Sequence, residues 1–141
     1  MRFNTTGTYN TASGSEAGSY IADGQTANTT GDYNVFLGAR TKALADNDQN
    51  EIVIGYNAIG LGSNTVVLGN DSITDTYLKG DVHLGNSAIL KGYTVASLPT
   101  GVVGMRVYVT DSRTPTYGAT VVGGGSVTVP VFFDGTNWIY A

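Results

Sequence analysis

Few residues in this chain carry reactive groups, and their types favour binding over bond-making chemistry. There is no cysteine and a single histidine, His83. That removes disulfides, thiolate metal sites and cysteine nucleophiles, and leaves a hydroxyl nucleophile without a convincing base. The eleven Asp and Glu residues stand mostly among Gly, Asn, Ser and Thr, where capping turns is their ordinary work, whereas glycosidase chemistry needs two carboxylates facing each other across a cleft. No catalytic residue and no cofactor is therefore assigned. Asp46, Asp48 and Asn50 alternate as in a calcium loop, but the glycine and terminal glutamate of such a loop are not in place. The stretch reads as solvated loop, and no metal site is expected. What does gather, towards the carboxyl end, is a set of side chains with apolar bodies and polar tips: Tyr108, Arg113, Tyr117, Trp138 and Tyr140. Such groups stack on sugar rings and hydrogen-bond to hydroxyls. For Trp138 core packing is the simpler role, while Arg113 and Tyr117, on a loop, suit either role.

The elements that must position these groups are organised by a repeat. Between Glu51 and Asp71 an aliphatic triplet closed by glycine occurs twice, as Ile52-Val53-Ile54-Gly55 and, 14 residues later, Val66-Val67-Leu68-Gly69. Upstream Val35-Phe36-Leu37-Gly38 matches at a spacing of 17, and downstream Val82-His83-Leu84-Gly85 matches at 16. A degenerate copy, Tyr20 to Gly24, precedes Gly38. Fixed-period self-similarity of this kind is the signature of a stacked architecture. Three consecutive apolar β-formers make a strand hydrophobic on both faces, unlike the alternation of a half-exposed strand. Gly38, Gly55, Gly69 and Gly85 are read as structural turn glycines, because the chain must bend where a Cβ is excluded. A 14-residue unit has room for the triplet, a turn, a shorter outer strand such as Ala58 to Leu61, and a second turn at Gly62-Ser63-Asn64. Equivalent strands of successive units then stack in parallel as a β-roll. One face of each triplet still lacks a cover. Other copies of the chain around an axis supply one and close the assembly.

These residues resemble known families. The run EIVIGYNAIGLGSNTVVLGND (51–71) resembles the head repeats of trimeric autotransporter adhesins, and the longer run from Ser19 to Gly85 resembles the distal shafts of bacteriophage tail fibres. ASLPTGVVGMRVYVTD (96–111) and VPVFFDGTNWIY (129–140) are similar to the small β-rich end domain of many such fibres. The resemblance implies an all-β protein, an elongated parallel homotrimeric β-roll shaft with a small antiparallel β end domain. It implies attachment of a virion, outside the cell, to a bacterial surface receptor that is a glycan or a protein, with other tail proteins upstream. The adhesin repeat has a small alanine in the middle of the triplet where this chain has Phe36, Val53, Val67 and His83, which alters the packing distance around the axis. In a trimer three copies of His83 would meet there, either as a metal site or as plain neck residues. Two alternatives stay open: the head of a bacterial trimeric autotransporter adhesin, and a purely structural fibre spacer.

Composition agrees with a binding protein of this kind. Charged residues make up 13% and the formal net charge is −4, with the basic residues scattered, so no nucleic-acid partner is expected. No apolar run approaches a membrane span or a signal peptide, which suits a virion component or a fragment of a longer fibre. Residues 1–18 read as an irregular unit or linker, with Tyr9-Asn10 compared to Tyr56-Asn57. Residues 19–71 carry the repeats, 72–97 a neck in which Tyr77–Gly80 and Ile89–Gly92 recur at a spacing of 12, and 98–141 the end domain. The polar excursion Ala43 to Asn50, after the helix-tolerant run Ala39 to Ala45, reads as a surface loop or one turn of helix. In the end domain Met105, Val107 and Val109 alternate with polar residues, Ala119 to Val122 reads as a strand, and Pro130 confines its strand to an edge or bulge. Asp134-Gly135 suits a two-residue type I′ turn.

Overall fold

The computed structural model describes residues 1–141 and is all-β, with no α-helix and two four-stranded sheets. No helix is long and apolar enough to cross a membrane. The chain divides into two compact units, Met1–Lys79 and Gly80–Ala141.

The first unit is built on the repeat. Strands β1 (Thr11–Ser13), β2 (Val35–Leu37), β3 (Ile52–Ile54) and β4 (Val66–Leu68) pair in parallel and in sequence order. Phe36 is opposite Val53, and Val53 opposite Val67, so the triplets are in register. The middle residues of β2, β3 and β4 turn inward, whereas Ala12 of β1 is exposed: Phe36 and Val53 are fully buried with Ala17, Ala43 and Ala58, and Val67 packs on that cluster. The bulk of Phe36 is matched by a small residue opposite, for a Cβ on Gly18 would lie 2.4 Å from its ring. The flanking residues Val66 and Leu68 point the other way and are 62% and 57% exposed. A second parallel track of single bridges joins Ile21 to Ala43 and Lys42 to Ile59, and a third joins Asp32 to Gln49. The outer strand expected at Ala58–Leu61 is thus one bridge, and Ala39–Ala45 contributes bridges at Lys42 and Ala43 with no helical turn.

The backbone repeats with the sequence. Two residues before each triplet, Tyr9, Tyr33, Asn50 and Asn64 all have φ between 55° and 63°. After it, Gly14, Gly38 and Gly55 have φ of 125° or 126°, and Gly69 89°. A side chain at Gly38 would meet the Gly55 backbone at 2.8 Å, so stacked turns of this shape require glycine.

Two members of the expected repeat differ. Tyr20–Gly24 is not a copy of the triplet: Tyr20 bridges Ala27 antiparallel around a turn capped by Asp23, whose Oδ1 accepts from the N–H of Gln25 and of Thr26. The strand preceding β2 is β1, Thr-Ala-Ser followed by Gly14. Val82–Leu84 forms no strand, and Gly85 has neither a positive φ nor any atom within 4 Å of a Cβ position. Gly85 is therefore not a structural turn glycine. After the turn at Asn70–Ile73, residues up to Lys91 pair with no strand, and Tyr77, Val82, Leu84 and Ile89 are 82%, 58%, 58% and 95% exposed.

In the second unit β5 (Gly92–Tyr93), β6 (Arg106–Ser112), β7 (Val127–Phe133) and β8 (Trp138–Tyr140) lie in that order. β6, β7 and β8 are antiparallel, whereas β5 runs parallel to β6, so the sheet is mixed where a purely antiparallel one is expected. Gly92–Ser97, read as neck, belongs to this sheet through β5 and the short 3-10 turn Val95–Ser97, whose Val95 N–H donates to Asp111 Oδ1 at 2.7 Å. The alternation in β6 holds, with Val107 and Val109 buried and Arg106 and Thr110 exposed. They pack with Val121, Val131 and Tyr140.

Pro130 is not on an edge, since β7 lies between β6 and β8 and Pro130 stands opposite Tyr108. Its carbonyl accepts from the Ala141 N–H at 3.2 Å. N–H and C=O of one strand residue point to the same side, so the missing donor falls on the β8 side and spares the longer β6 ladder. Ala119–Val122 gives a single bridge, Thr120 to Ile139. The β7–β8 turn is not type I′. Asp134 N–H donates to the Asn137 carbonyl, which makes Gly135-Thr136 the central pair, and only Gly135 has a positive φ. Asp134 Oδ1 accepts from the N–H groups of Thr136 and Asn137, both at 2.7 Å, and these bonds lower its pKa.

Candidate functional site

The five side chains expected to bind do not form one site. Tyr140 is 3% exposed. Its hydroxyl is 2.8 Å from Ser112 Oγ and accepts from the Val122 N–H at 2.9 Å, so it fastens the Val122 segment to β6 and β8. Trp138 is half-buried against the same core, edge-on to Phe133 at 5.6 Å between ring centroids, with Nε1 donating to the Pro99 carbonyl at 3.3 Å. The two lie i and i+2 on β8 and share its inner face. Tyr108 is half-buried with its ring over Gly92, where a Cβ would lie 2.4 Å from it. These three pack the fold.

Arg113 and Tyr117 do reach solvent. Tyr117 is 85% exposed on the loop that follows β6, closed by the Gly118 N–H donating to the Tyr140 carbonyl at 3.1 Å. The Arg113 backbone N–H donates to the Val122 carbonyl at 3.0 Å, and its guanidinium lies along Gly124, whose absent Cβ would stand 3.4 Å from Nη2. Arg113 and Tyr117 are the members of the expected set that present polar tips to solvent.

A second arrangement, on the first unit, was not legible as a site in the sequence. An open groove of about 320 Å³ is lined by Glu16, Tyr20, Gly24, Arg40, Lys42 and Asn57. Glu16, Arg40 and Asn57 each stand two residues after a repeat glycine, with φ of 59°, 58° and 53°. Successive N–H···O=C bonds, Arg40 to Ser15 at 2.8 Å and Asn57 to Ala39 at 2.9 Å, hold them in one column. Arg40 Nε is 3.4 Å from Glu16 Oε2, and Lys42 Nζ donates to Asn57 Oδ1. The Tyr20 ring is set edge-on against Phe3 at 5.2 Å. Asparagine, as at 57, tolerates this left-handed backbone far better than Glu or Arg.

Asp46 and Asp48 are engaged by neighbouring backbone and hydroxyl groups. Burial works to raise the pKa of Asp46, but hydrogen bonds from the hydroxyl and backbone groups of Thr29 and Thr30 hold it at about 2. Asp48 Oδ2 accepts from the Ala45 N–H at 2.7 Å and Oδ1 from Ser63 at 3.1 Å. The calcium-like alternation is thus a pair of turn caps. His83 is exposed on the segment without strand structure, and no three metal-ligating side chains are gathered anywhere.

Comparison with known protein families, curated proteins and solved structures finds no match for this chain.

Proposed function

We propose that the chain is a distal segment of a bacteriophage tail fibre, a parallel homotrimer whose β-roll shaft carries a small β end domain to a glycan on a bacterial surface. The observation that carries the assembly is the outward face of β4, together with the apolar side chains of Tyr77, Val82, Leu84 and Ile89, which one chain leaves exposed. Val66 and Leu68 are more than half exposed, and Ile89 is 95% exposed. An apolar face of this kind marks an interface, and identical subunits around an axis cover it without leaving an open edge.

The role in this reading is attachment outside the cell without bond cleavage. Hydrogen bonds keep the pKa low, from the Thr26 hydroxyl and nearby N–H groups at Asp23, from the hydroxyl and backbone groups of Thr29 and Thr30 at Asp46, and from the Asn137 and Thr136 N–H groups at Asp134, which makes them poor bases. Arg113 and Tyr117 are the receptor-facing pair of the end domain. The spacer alternative gains from the burial of Tyr140 and the packing of Trp138. Sedimentation tests the assembly: three times the 14.6 kDa chain mass is expected, and a stable monomer overturns it. Cell binding after Arg113→Ala with Tyr117→Ala tests the attachment loop, and unchanged binding favours the spacer.

A further inference from the structure

We propose that the groove between Tyr20, Arg40 and Lys42 is a binding site for a carboxylated saccharide of the uronic-acid class. The proposal rests on the attachment reading, to which it assigns a ligand chemistry, and it uses residues of the first unit, whereas Arg113 and Tyr117 belong to the second. The groove brings together the three kinds of group that such a sugar uses. Arg40 and Lys42 supply fixed positive charge within a chain whose net charge is −4. Arg40 engages Glu16 through Nε, and its side chain is 61% exposed, which leaves the rest of a five-donor fork for a carboxylate. Lys42 gives one of its three donors to Asn57 Oδ1. The Asn57 amide nitrogen can then meet a ring hydroxyl.

The third group is the Tyr20 ring, an apolar wall with a polar tip held in place by Phe3. Gly24 opens the groove between these walls, for a Cβ there would already touch Lys42 Cε at 3.4 Å. A neutral sugar satisfies the ring and the amide but leaves both cations unused. A bare inorganic anion satisfies the cations and leaves the ring unused. Glu16 opposes a second carboxylate and so sets a modest affinity, in the range of shallow sugar sites.

The test is an NMR titration of the full chain, in whatever oligomeric state it adopts, with D-glucuronate, D-glucose and sodium acetate. Glucuronate is expected to bind with a Kd of roughly 1–10 mM, and glucose and acetate at least about tenfold more weakly. Arg40→Gln with Lys42→Gln is expected to weaken glucuronate binding at least about tenfold, and Glu16→Gln to tighten it about two- to fivefold, as removal of one nearby exposed charge allows. Equal binding of glucose, no saturation by about 50 mM glucuronate, or weaker binding by Glu16→Gln overturns the proposal. Should the double variant not fold, the Glu16→Gln and glucose arms decide alone. No cells enter the measurement, so its failure is separate from failure of the trimer or of the Arg113 and Tyr117 loop.

Discussion

The backbone N–H of Glu51 donates to the side-chain Oδ1 of Asn34 at 2.8 Å, inside the protein, where neither residue has any exposed surface. One repeat earlier Asn10 does the same for the N–H of Asn34, again at 2.8 Å. The positions before the second and third triplets thus form a ladder in which a side chain of one repeat closes the backbone of the next. Asn34 Nδ2 also donates to the Asp48 carbonyl at 2.8 Å. Asn34→Ala should leave the Glu51 N–H unpaired, while the Asp48 carbonyl keeps the Asp32 N–H at 3.3 Å. At about 1–3 kcal/mol for an unmet buried group, we expect a loss of about 1–3 kcal/mol in denaturant unfolding. A loss below about 0.5 kcal/mol would show that the ladder contributes nothing.

Glu51 stands in this ladder where asparagine stands before, and its carboxyl meets a different fate. Burial, aided by the charge of Asp48, pushes its pKa up, against the pull of the Gly62, Leu44 and Leu61 N–H groups. The folded state then holds the proton to higher pH than the unfolded chain. Its stabilising share is present below the ordinary glutamate value and is lost as pH rises through the folded pKa. Glu51→Gln should remove that decline, with melting temperature less sensitive to pH above about 4, the ordinary glutamate range. A parent whose stability rises over the same range, with the variant following it, would contradict the assignment.

Asp46 has the opposite signature. Its pKa of about 2 lies below the unfolded value, so its contribution is present above about pH 4 and disappears as pH falls towards 2. Because the group is partly exposed, we expect Asp46→Ala to cost about 1 kcal/mol at pH 7 and little at pH 2. Added calcium should shift neither protein. Stabilisation of the parent alone by calcium would restore the metal loop in place of the cap.

The repeat glycines separate the part of the period that folds from the part that only matches in sequence. Gly55 has φ 126° and its Cβ would sit 3.0 Å from Gly69 Cα, whereas Gly85 has open space around it. Gly55→Val should cost about 1–3 kcal/mol in backbone strain alone, with the clash added. Gly85→Ala should change stability by less than about 0.5 kcal/mol. Equal effects at the two sites would merge again what the backbone distinguishes.

That contrast also shows what was readable in the chain. Triplets at Val35, Ile52 and Val66 announced their pairing and register, because three apolar β-formers and a glycine are a local signal. Thr11–Ser13 hid, since Thr-Ala-Ser has no apolar pattern; its mark is the Tyr-Asn before it and Gly14 after it, matching Tyr33-Asn34 and Gly38 and not Tyr56-Asn57. Val82–Gly85 carries the pattern without a neighbouring strand, and pattern alone supplies no ladder partner. The column of Glu16, Arg40 and Asn57 is separated by 24 and 17 residues and becomes adjacent only through the parallel register. Its sequence trace is the shared offset of two residues from a repeat glycine. For Trp138 and Tyr140 the alternation of β8 already put both on one face, but not which face met the core.

The burial of Tyr140 turns one expected binding residue into a control for the others. Its hydroxyl is shared between Ser112 Oγ and the Val122 N–H, so Tyr140→Phe leaves the Val122 N–H unmet and Ser112 Oγ with only the Arg113 carbonyl at 3.4 Å, and should cost about 1–3 kcal/mol. Tyr117, 85% exposed, loses nothing of that kind, and Tyr117→Ala should stay within about 0.5 kcal/mol of the parent. Binding to bacterial cells, measured per amount of folded protein, should reverse the order under the proposed attachment role: unchanged for Tyr140→Phe, reduced for Tyr117→Ala with Arg113→Ala. In the proposed trimer, avidity amplifies a per-site loss, so a fewfold weakening at each loop should appear as a larger drop in cell-bound protein. If Tyr140→Phe abolishes binding while the protein remains folded, the loop ordered by Val122 is the receptor contact instead. If neither variant changes binding, attachment does not use the end domain, and the Arg40 and Lys42 groove becomes the place to look.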